Sequence, residues 1–298
     1  MKQIIQREAD RSTDWVRDNK MVCAGDKTKL LVVGTRQLRE SKLVSQNKVL
    51  EVNVEGNTIR ESKSEKLLGL TVNNELTWKE YLYGEDWRPE KENLPGLIPL
   101  LSQRVGMLSR LAKIVPKKRF NTLCNGIFNS KLIYCLQVVG NVWGFGLDET
   151  ARRSSSFRKE DLRKLQVLQN KVARLSTAMK QGTPTRELLA KAKMMSVHQL
   201  VGYHTLLTVQ KTVTNRKPDY IYSRLSLQET VNDGVVAWRQ VNKVRVDQRL
   251  TIAREAFMYR GGLLWNSLPV NLRMIGNSAK FKGAVKSWIK EHIPVKPP

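Results

Sequence analysis

The periodicity of the apolar residues changes from strand-like to helical in the loop that follows Trp78, and this change limits the possible folds more than any other feature. Upstream of it, the segment VLEVNV alternates apolar with charged or polar residues, which is typical of a half-buried strand. Downstream of it, apolar residues recur at helical spacing, beginning with the stripe Leu101, Val105, Leu108 and Ala112. We therefore expect an α+β fold in which a small antiparallel sheet is followed by mostly helical structure.

Turn residues divide the strand-forming part into a helix and several short strands. The segment from Glu8 to Met21 is compatible with a helix, and Gly25-Asp26 separates it from a strand in KTKLLVVG. The turn Glu55-Gly56-Asn57 leads VLEVNV into a return strand at Thr58-Ile59. In the segment SEKLLGLTVNNELTW two short apolar runs meet at a glycine, and this pattern predicts a hairpin.

Proline and small polar residues divide the helical part. The first helix should end at Pro116, and the apolar segment KKRFNTLCNGIFNSKLIYCLQVVG predicts a largely buried second helix that pairs with the first as a hairpin. The run ARRSSSFRKED is small, polar and basic, as linkers often are. Ser196 and Ser278 are each expected to begin a later helix. The sequence thus predicts three parts: residues 1–85, residues 86–150 and residues 151–298.

The chain is strongly basic. Its 298 residues include 52 Lys and Arg against 27 Asp and Glu, a formal net charge of +25. Charge on this scale favours a polyanion as partner, because each neutralised phosphate releases counterions. We expect nucleic acid; an anionic membrane surface is the weaker alternative, because the apolar helix faces should be buried. No apolar run approaches the roughly 20 residues of a membrane span, so we expect an intracellular protein, in the nucleus or the cytoplasm.

The residue types that carry most enzyme chemistry do not form a recognisable site. The chain has no Asp-Asp pair, and its adjacent acidic residues fall in predicted loops or at a helix start. His198 and His204 are six residues apart, a spacing that suits no common metal motif. The cysteines Cys23, Cys124 and Cys135 are too scattered for a disulfide framework or a zinc site. We predict no catalytic residue, no metal ligand and no cofactor.

Basic residues on predicted helices are better candidates for a binding site. Two of these helices separate an apolar face from a basic one. We predict nucleic-acid contacts for Arg152, Arg153, Lys159, Arg163, Lys171, Arg174, Lys282, Lys286 and Lys290. For the last three, a solvated face whose lysine stems cover apolar surface is an equal alternative. Four aromatic residues could stack on bases or pack within their loop: Trp78, Tyr81, Tyr83 and Trp87.

Several stretches resemble, in the same order, the C-terminal half of reverse transcriptases from non-LTR (LINE-type) retrotransposons, especially the jockey and chicken-repeat-like groups. DWVRDNKMVCAGDKTKLLVVGT is similar to the helix and strand that follow the catalytic motif of the palm, and EKLLGLTVNNELTW to the primer-grip hairpin. LSQRVGMLSRLAKIVP and SKLIYCLQVVGNVWG resemble thumb helices. LRKLQVLQNKVARLSTAMKQGTPTRELL, MMSVHQLVGYHTLLTVQKTV and FMYRGGLLWNSLPVNLRMIGNSAKFKGAVKSWI resemble the C-terminal region.

The resemblance implies a palm remnant with a primer grip in residues 1–85, a thumb in residues 86–150 and a basic helical domain in residues 151–298. It assigns Lys66, Leu68 and Gly69 to the primer-grip hairpin. It also places Arg104, Arg110 and Lys113 on the part of the thumb that follows the template-primer duplex. The implied partners are an RNA template, an RNA/DNA hybrid or a primed template, together with the palm, fingers and endonuclease of a parent polyprotein.

The resemblance also implies what this chain should not do. In the family the metal-binding Asp-Asp motif lies upstream of the segment with which this sequence begins, so no polymerase carboxylate can be assigned here. We therefore expect no DNA synthesis by this chain alone, and Mg²⁺ only in the intact parent polymerase. The alternative is a stand-alone, non-enzymatic nucleic-acid-binding protein derived from a mobile element.

Overall fold

The structure is a computed structural model of an α+β protein, as the sequence predicted. It describes residues 2–25, 27–34, 50–84, 95–140, 142, 158–223, 225, 243–244 and 257–296. The chain divides into two compact units: a first unit, Met1–Leu94, and a helical unit, Pro95–Pro298. Each unit is described by itself below.

The first unit contains the strands. Its elements are the helix α1 (Lys2–Asp18), the strands β1 (Leu30–Leu31), β2 (Glu51–Val54), β3 (Asn57–Ser62), β4 (Ser64–Leu67) and β5 (Leu70–Asn73), and the short helix α2 (Lys79–Tyr83). One sheet has the strand order β1-β3-β2, and β4 pairs with β5 as a separate hairpin. The alternation predicted for VLEVNV is confirmed, because Val52 and Val54 are buried while Asn53 between them is exposed. Helix α1 packs on β2 and covers this apolar face.

One strand pair departs from the antiparallel arrangement. Strand β2 pairs with β3 in the antiparallel sense, with Val52 opposite Ile59, whereas β1 runs parallel to β3, with Leu30 opposite Glu61. Parallel neighbours need a long connection. The stretch 32–56 supplies it and includes β2, so the chain enters β3 in the same direction as β1.

The predicted hairpin in SEKLLGLTV is confirmed. Its two-residue turn consists of Leu68 and Gly69, which have φ angles of 49° and 82°. Positive φ at both central residues matches the twist of the flanking strands and defines the common turn of tight hairpins. Gly69 adopts this conformation without strain because it lacks a Cβ, whereas Leu68 does not have this freedom.

The helical unit is built from helices of very different length. They are α3 (Leu97–Leu111), α4 (Lys117–Cys124), α5 (Ser130–Ile133), α6 (Leu136–Val139), α7 (Lys159–Thr177), α8 (Thr185–Ala192), α9 (Val197–Asn215), α10 (Asp219–Tyr222), α11 (Phe257–Asn266), α12 (Val270–Arg273) and α13 (Ser278–His292). A π-helical stretch, Asn125–Asn129, joins α4 to α5. The second predicted helix is therefore interrupted, and Cys135, in the left-handed region with φ 56°, starts α6.

Helix α9 forms the centre of the helical unit. It packs against α6, α7, α11 and α13, and its residues from 197 to 202 are all buried. Close approach of α6 depends on Gly140, because a Cβ there would lie 2.6 Å from the carbonyl oxygen of Leu136 and from a methyl group of Val201. On the far side, the side chain of Arg260 donates hydrogen bonds to the carbonyls of Val138 and Gly140. A cation at the C-terminal end of α6 also suits the helix dipole.

A buried network of amide side chains joins α7 to its neighbours. Gln166 donates to Gln169 at 2.9 Å and to Asn170 at 2.8 Å, and its carbonyl accepts from the backbone amide of Val197 at 2.8 Å. Gln199 donates to the carbonyl of Ile293 at 2.9 Å, which fixes the chain after α13. Satisfied polar groups in a core specify one arrangement of the helices, because any shift would leave them without partners.

The two predicted helical parts, residues 86–150 and 151–298, contribute to a single unit. Helices α3 and α4 both pack against α7, which follows the predicted linker. Most of that linker lies outside the described residues. The assignment of these stretches to a thumb and a C-terminal domain stays a prediction.

Candidate nucleic-acid interface

The net charge of the protein is concentrated in the helical unit. Met1–Leu94 contains 17 Lys and Arg against 16 Asp and Glu, whereas Pro95–Pro298 contains 35 against 11. Between residues 95 and 140 every charged side chain is Lys or Arg. The field that would attract a polyanion therefore originates mainly in the helical unit, and the first unit is close to neutral.

Helix α7 presents part of the predicted basic face. Arg163 and Lys171 are exposed, whereas Lys159 and Arg174 are half-buried. The opposite face is buried at Leu165, Leu168 and Val172, as the periodicity predicted. Arg163 also forms an exposed ion pair with Glu160 at 3.5 Å, which is easily broken because surface pairs are weak. Arg152 and Arg153 lie outside the described residues.

Helix α13 presents its lysines in one exposed row. Lys282, Lys286 and Lys290 are all exposed, while Phe281 and Val285 are buried. Lysines four residues apart repel each other by a few tenths of a kcal/mol in a helix. Asn277 caps the helix by accepting from the amides of Ala279 and Lys280, so the row lies on a well-formed element. The separation of core from charge predicted for this helix is confirmed.

The three contact residues predicted for the first thumb helix differ in their placement. Arg110 lies on α3 and is exposed, and Lys113 is exposed in the turn after α3 ends at Leu111, not on the helix as predicted. Arg104 is half-buried, and its guanidinium donates a hydrogen bond to the carbonyl of Ile127 in the π-helical stretch. A charged donor on a backbone carbonyl makes a strong hydrogen bond. Arg104 therefore joins two helices, and a phosphate contact for it stays a prediction.

Replacing Arg104 with alanine should lower the free energy of unfolding by about 1–2 kcal/mol, because the carbonyl of Ile127 loses a charge-assisted hydrogen bond. Chemical denaturation followed by far-UV circular dichroism measures this change. The matched control is Arg110→Ala on the same helix, which should change stability by less than about 0.5 kcal/mol because Arg110 is exposed. Equal losses for the two variants would contradict the structural role of Arg104.

The sequence interpretation missed three basic residues at the start of α4. Lys117, Lys118 and Arg119 form its first turn, are all exposed and follow Pro116, which supplies no side-chain cap. Cations near a helix N-terminus are unfavourable because of the helix dipole. With Arg110 and Lys113 they make residues 110–119 a segment that we name the basic turn. The signal that could have found it is the Lys-Lys-Arg run next to a proline.

The residues assigned to the primer grip lie together at one end of the hairpin β4–β5. Leu68 is 82% exposed, Lys66 is exposed and Gly69 is half-buried. An exposed leucine with positive φ is unusual, since it combines backbone strain with loss of burial. The hairpin therefore presents a protruding apolar tip, as a contact element would. Its role as a primer grip stays a prediction.

The aromatic residues near the end of the first unit serve mainly in packing. Trp78 and Tyr81 form an edge-to-face pair with ring centroids 6.3 Å apart, and Tyr81 is buried. Tyr83 is exposed, and Trp87 lies outside the described residues. Of the aromatic candidates that the structure describes, only Tyr83 and the half-buried Trp78 offer a ring to a base.

Two of the side chains that could carry chemistry, His198 and Cys124, are buried in the core, whereas His292 is exposed. Burial lowers the pKa of His198, whose Nδ1 lies 3.0 Å from the carbonyl oxygen of Pro294, and burial also lowers the pKa of His204. Burial raises the pKa of Cys124 to about 11. Within the described ranges, His, Cys, Asp and Glu form no cluster of three that could hold a metal ion. None of the helices in the described part of the chain is long and apolar enough to cross a membrane.

Comparisons of the chain with protein-family models, with curated proteins and with solved structures gave no match. The resemblance to LINE-type reverse transcriptases therefore rests on the sequence motifs alone. The residues that remain candidates for an interface are exposed basic side chains on three elements of the helical unit: helix α7, helix α13 and the basic turn.

Proposed function

We propose that this chain binds nucleic acid through its helical unit. The observation that carries the proposal is the charge imbalance of 35 Lys and Arg against 11 Asp and Glu in that unit, beside a nearly neutral first unit. An excess of positive charge spread evenly over the whole surface could be explained by solubility as well as by binding. An excess confined to one unit concentrates the attraction for a polyanion.

The exposure of the basic side chains supports phosphate contacts as the source of affinity. The lysines of α13 and the cations of the basic turn have few acidic neighbours along the chain, so an approaching phosphate need not displace many ion pairs. Each phosphate that is neutralised releases condensed counterions. Binding should therefore weaken steeply as the salt concentration rises.

Within this function, we propose that the chain is the template- and primer-holding part of a LINE-type reverse transcriptase. The ordered series of motifs supports this reading, and so does the exposed tip of the β4–β5 hairpin at Leu68. In such a parent the hairpin would hold the primer end and the basic helices would hold the duplex. Mg²⁺ would belong to the parent polymerase.

A second candidate is a stand-alone nucleic-acid-binding protein derived from a mobile element. The near neutrality of the first unit favours it, because attraction to a polyanion then needs no contribution from the palm-like part. The two candidates differ in what they should prefer. A primer holder should favour an RNA/DNA hybrid with a recessed 3′ end over single strands, and a general binder should not.

Fluorescence anisotropy with labelled nucleic acids tests the proposal. We expect binding whose log K falls against log salt with a slope of about −3 or steeper, which corresponds to at least three phosphate contacts. Preference for the primed hybrid over single-stranded RNA supports the reverse-transcriptase reading. Equal affinity for all nucleic acids and for heparin contradicts that reading. Absence of binding at low salt would overturn nucleic-acid binding itself.

A further inference from the structure

We propose that the basic turn grips a nucleic-acid duplex, with its lysines and arginines on the phosphates and Ile114 as an apolar wedge against the bases. This inference rests on the proposed nucleic-acid binding and adds a specific contact to it. Ile114 is 79% exposed and lies among five exposed cations within ten residues: Arg110, Lys113, Lys117, Lys118 and Arg119.

The backbone of the basic turn is well defined by hydrogen bonds. The amides of Ile114 and Val115 donate to the carbonyl of Leu111 at 3.0 and 2.9 Å, and the amide of Arg119 donates to the carbonyl of Pro116 at 2.9 Å. Leu108 and Phe120, on either side of the turn, are anchored in the core. The cations and Ile114 are therefore presented on an ordered backbone, which lowers the entropic cost of binding.

The electrostatics of the basic turn favour an acidic partner. Its cations repel one another, and three of them occupy the first turn of α4, where the exposed backbone amides already carry partial positive charge. The surrounding stretch of chain, residues 95–140, contains no acidic residue. A phosphate backbone would relieve both effects at once.

The exposure of Ile114 distinguishes between two kinds of acidic partner, a membrane surface and a nucleic-acid duplex. A membrane surface would require a broad apolar face on an amphipathic helix. Within the basic turn Ile114 is the only fully exposed large apolar side chain, since Val115 is half-buried. Proteins that bind the minor groove of DNA frequently insert an apolar side chain, isoleucine among them, between base steps, and they contact the groove with basic residues. The observations therefore favour a duplex over a lipid surface.

Three variants of the full chain separate the parts of this proposal. In the triple variant Lys113→Gln, Lys117→Gln and Lys118→Gln the charges are removed and Ile114 is kept. In Ile114→Ser the wedge is removed and the charges are kept. The control is Met107→Ser, an exposed apolar residue two turns earlier on α3. Far-UV circular dichroism and thermal unfolding check that each variant is folded.

The readouts are affinity for an RNA/DNA hybrid over a range of salt concentrations, and fluorescence of 2-aminopurine at successive positions of the DNA strand. We expect the triple variant to make the salt slope shallower by about 2 to 3, because each phosphate contact contributes about 0.9. We expect Ile114→Ser to weaken binding about threefold to tenfold without changing the slope, and to abolish an unstacking signal that the wild-type chain gives. Met107→Ser should change neither quantity.

Each of the following results would overturn one part of the proposal. Wild-type binding with a steep slope that the triple variant retains would show that the basic turn is not the grip, while the proposed function stands. Unchanged affinity in Ile114→Ser, or no 2-aminopurine signal at any position, would overturn the wedge. Tighter binding to anionic vesicles than to the hybrid, lost in Ile114→Ser, would replace the duplex by a membrane surface. No wild-type binding to nucleic acid would remove the proposed function itself.

Discussion

Replacing Trp265 with alanine is expected to lower the free energy of unfolding of the helical unit by about 3–5 kcal/mol. Trp265 is 1% exposed, and its ring centroid lies 5.8 Å from that of Phe281. It lies on α11, which packs against the central helix α9. Truncation removes a large buried surface and leaves a cavity that the surrounding helices can fill only in part. Denaturant unfolding of the full chain, followed by far-UV circular dichroism, measures the loss.

The control for this experiment is a second tryptophan-to-alanine change. Trp15 is 61% exposed on α1, so Trp15→Ala should change stability by less than about 1 kcal/mol. The two variants lose the same side-chain atoms, and they differ in burial and in the unit that is affected. A loss of less than about 1 kcal/mol in Trp265→Ala would contradict the placement of Trp265 in the core.

Neutralising the lysine row of α13 is expected to weaken nucleic-acid binding strongly. The triple variant Lys282→Gln, Lys286→Gln and Lys290→Gln removes three exposed charges without touching the buried face of the helix. If each lysine neutralises one phosphate, the salt slope should become shallower by about 1 per lysine, and affinity at 0.1 M salt should fall up to about 100-fold. Anisotropy titrations with the primed hybrid measure both quantities.

A matched triple variant in the first unit tests whether the position of the removed charges or the net charge of the chain determines the affinity for nucleic acid. Lys27, Lys63 and Lys79 are also exposed, and their replacement by glutamine lowers the charge of the chain by the same amount. We expect less than about a threefold change in affinity, because the first unit is nearly neutral and contributes little to the local field. Similar losses in the two triple variants would show that only the total charge matters.

Local patterns were sufficient to predict much of the fold. Alternation predicted strand β2, a glycine between two apolar runs predicted the β4–β5 hairpin, and the 3.6-residue period predicted the two faces of α7 and α13. These predictions succeed because a helix or a strand with one buried face imposes its own period on the sequence. The same periods placed Lys282, Lys286 and Lys290 on an exposed face before any tertiary contact was known.

Features that depend on distant partners were not predicted. The parallel pairing of β1 with β3 depends on the path of the chain between them, and the interruption of the second helix at Asn125–Asn129 has no signal in its apolar pattern. Gln166 and Gln169 are polar by sequence yet buried, because the start of α9 and the chain before it supply their hydrogen-bond partners. From sequence alone, polar residues on a helix predict an exposed face, because their buried hydrogen-bond partners come from distant parts of the chain.

Arg104 and Arg110 show most directly what the sequence decided about this protein and what the tertiary structure decided. The sequence by itself determined that both are cations on one helix of a strongly basic chain, and that the helix has an apolar stripe to bury. Only the tertiary structure decided that the carbonyl of Ile127 lies within reach of Arg104, while Arg110 points to solvent at the start of the basic turn. The physical reason is that the side-chain period fixes the face of a helix, whereas a hydrogen bond between residues 23 positions apart depends on how two helices pack.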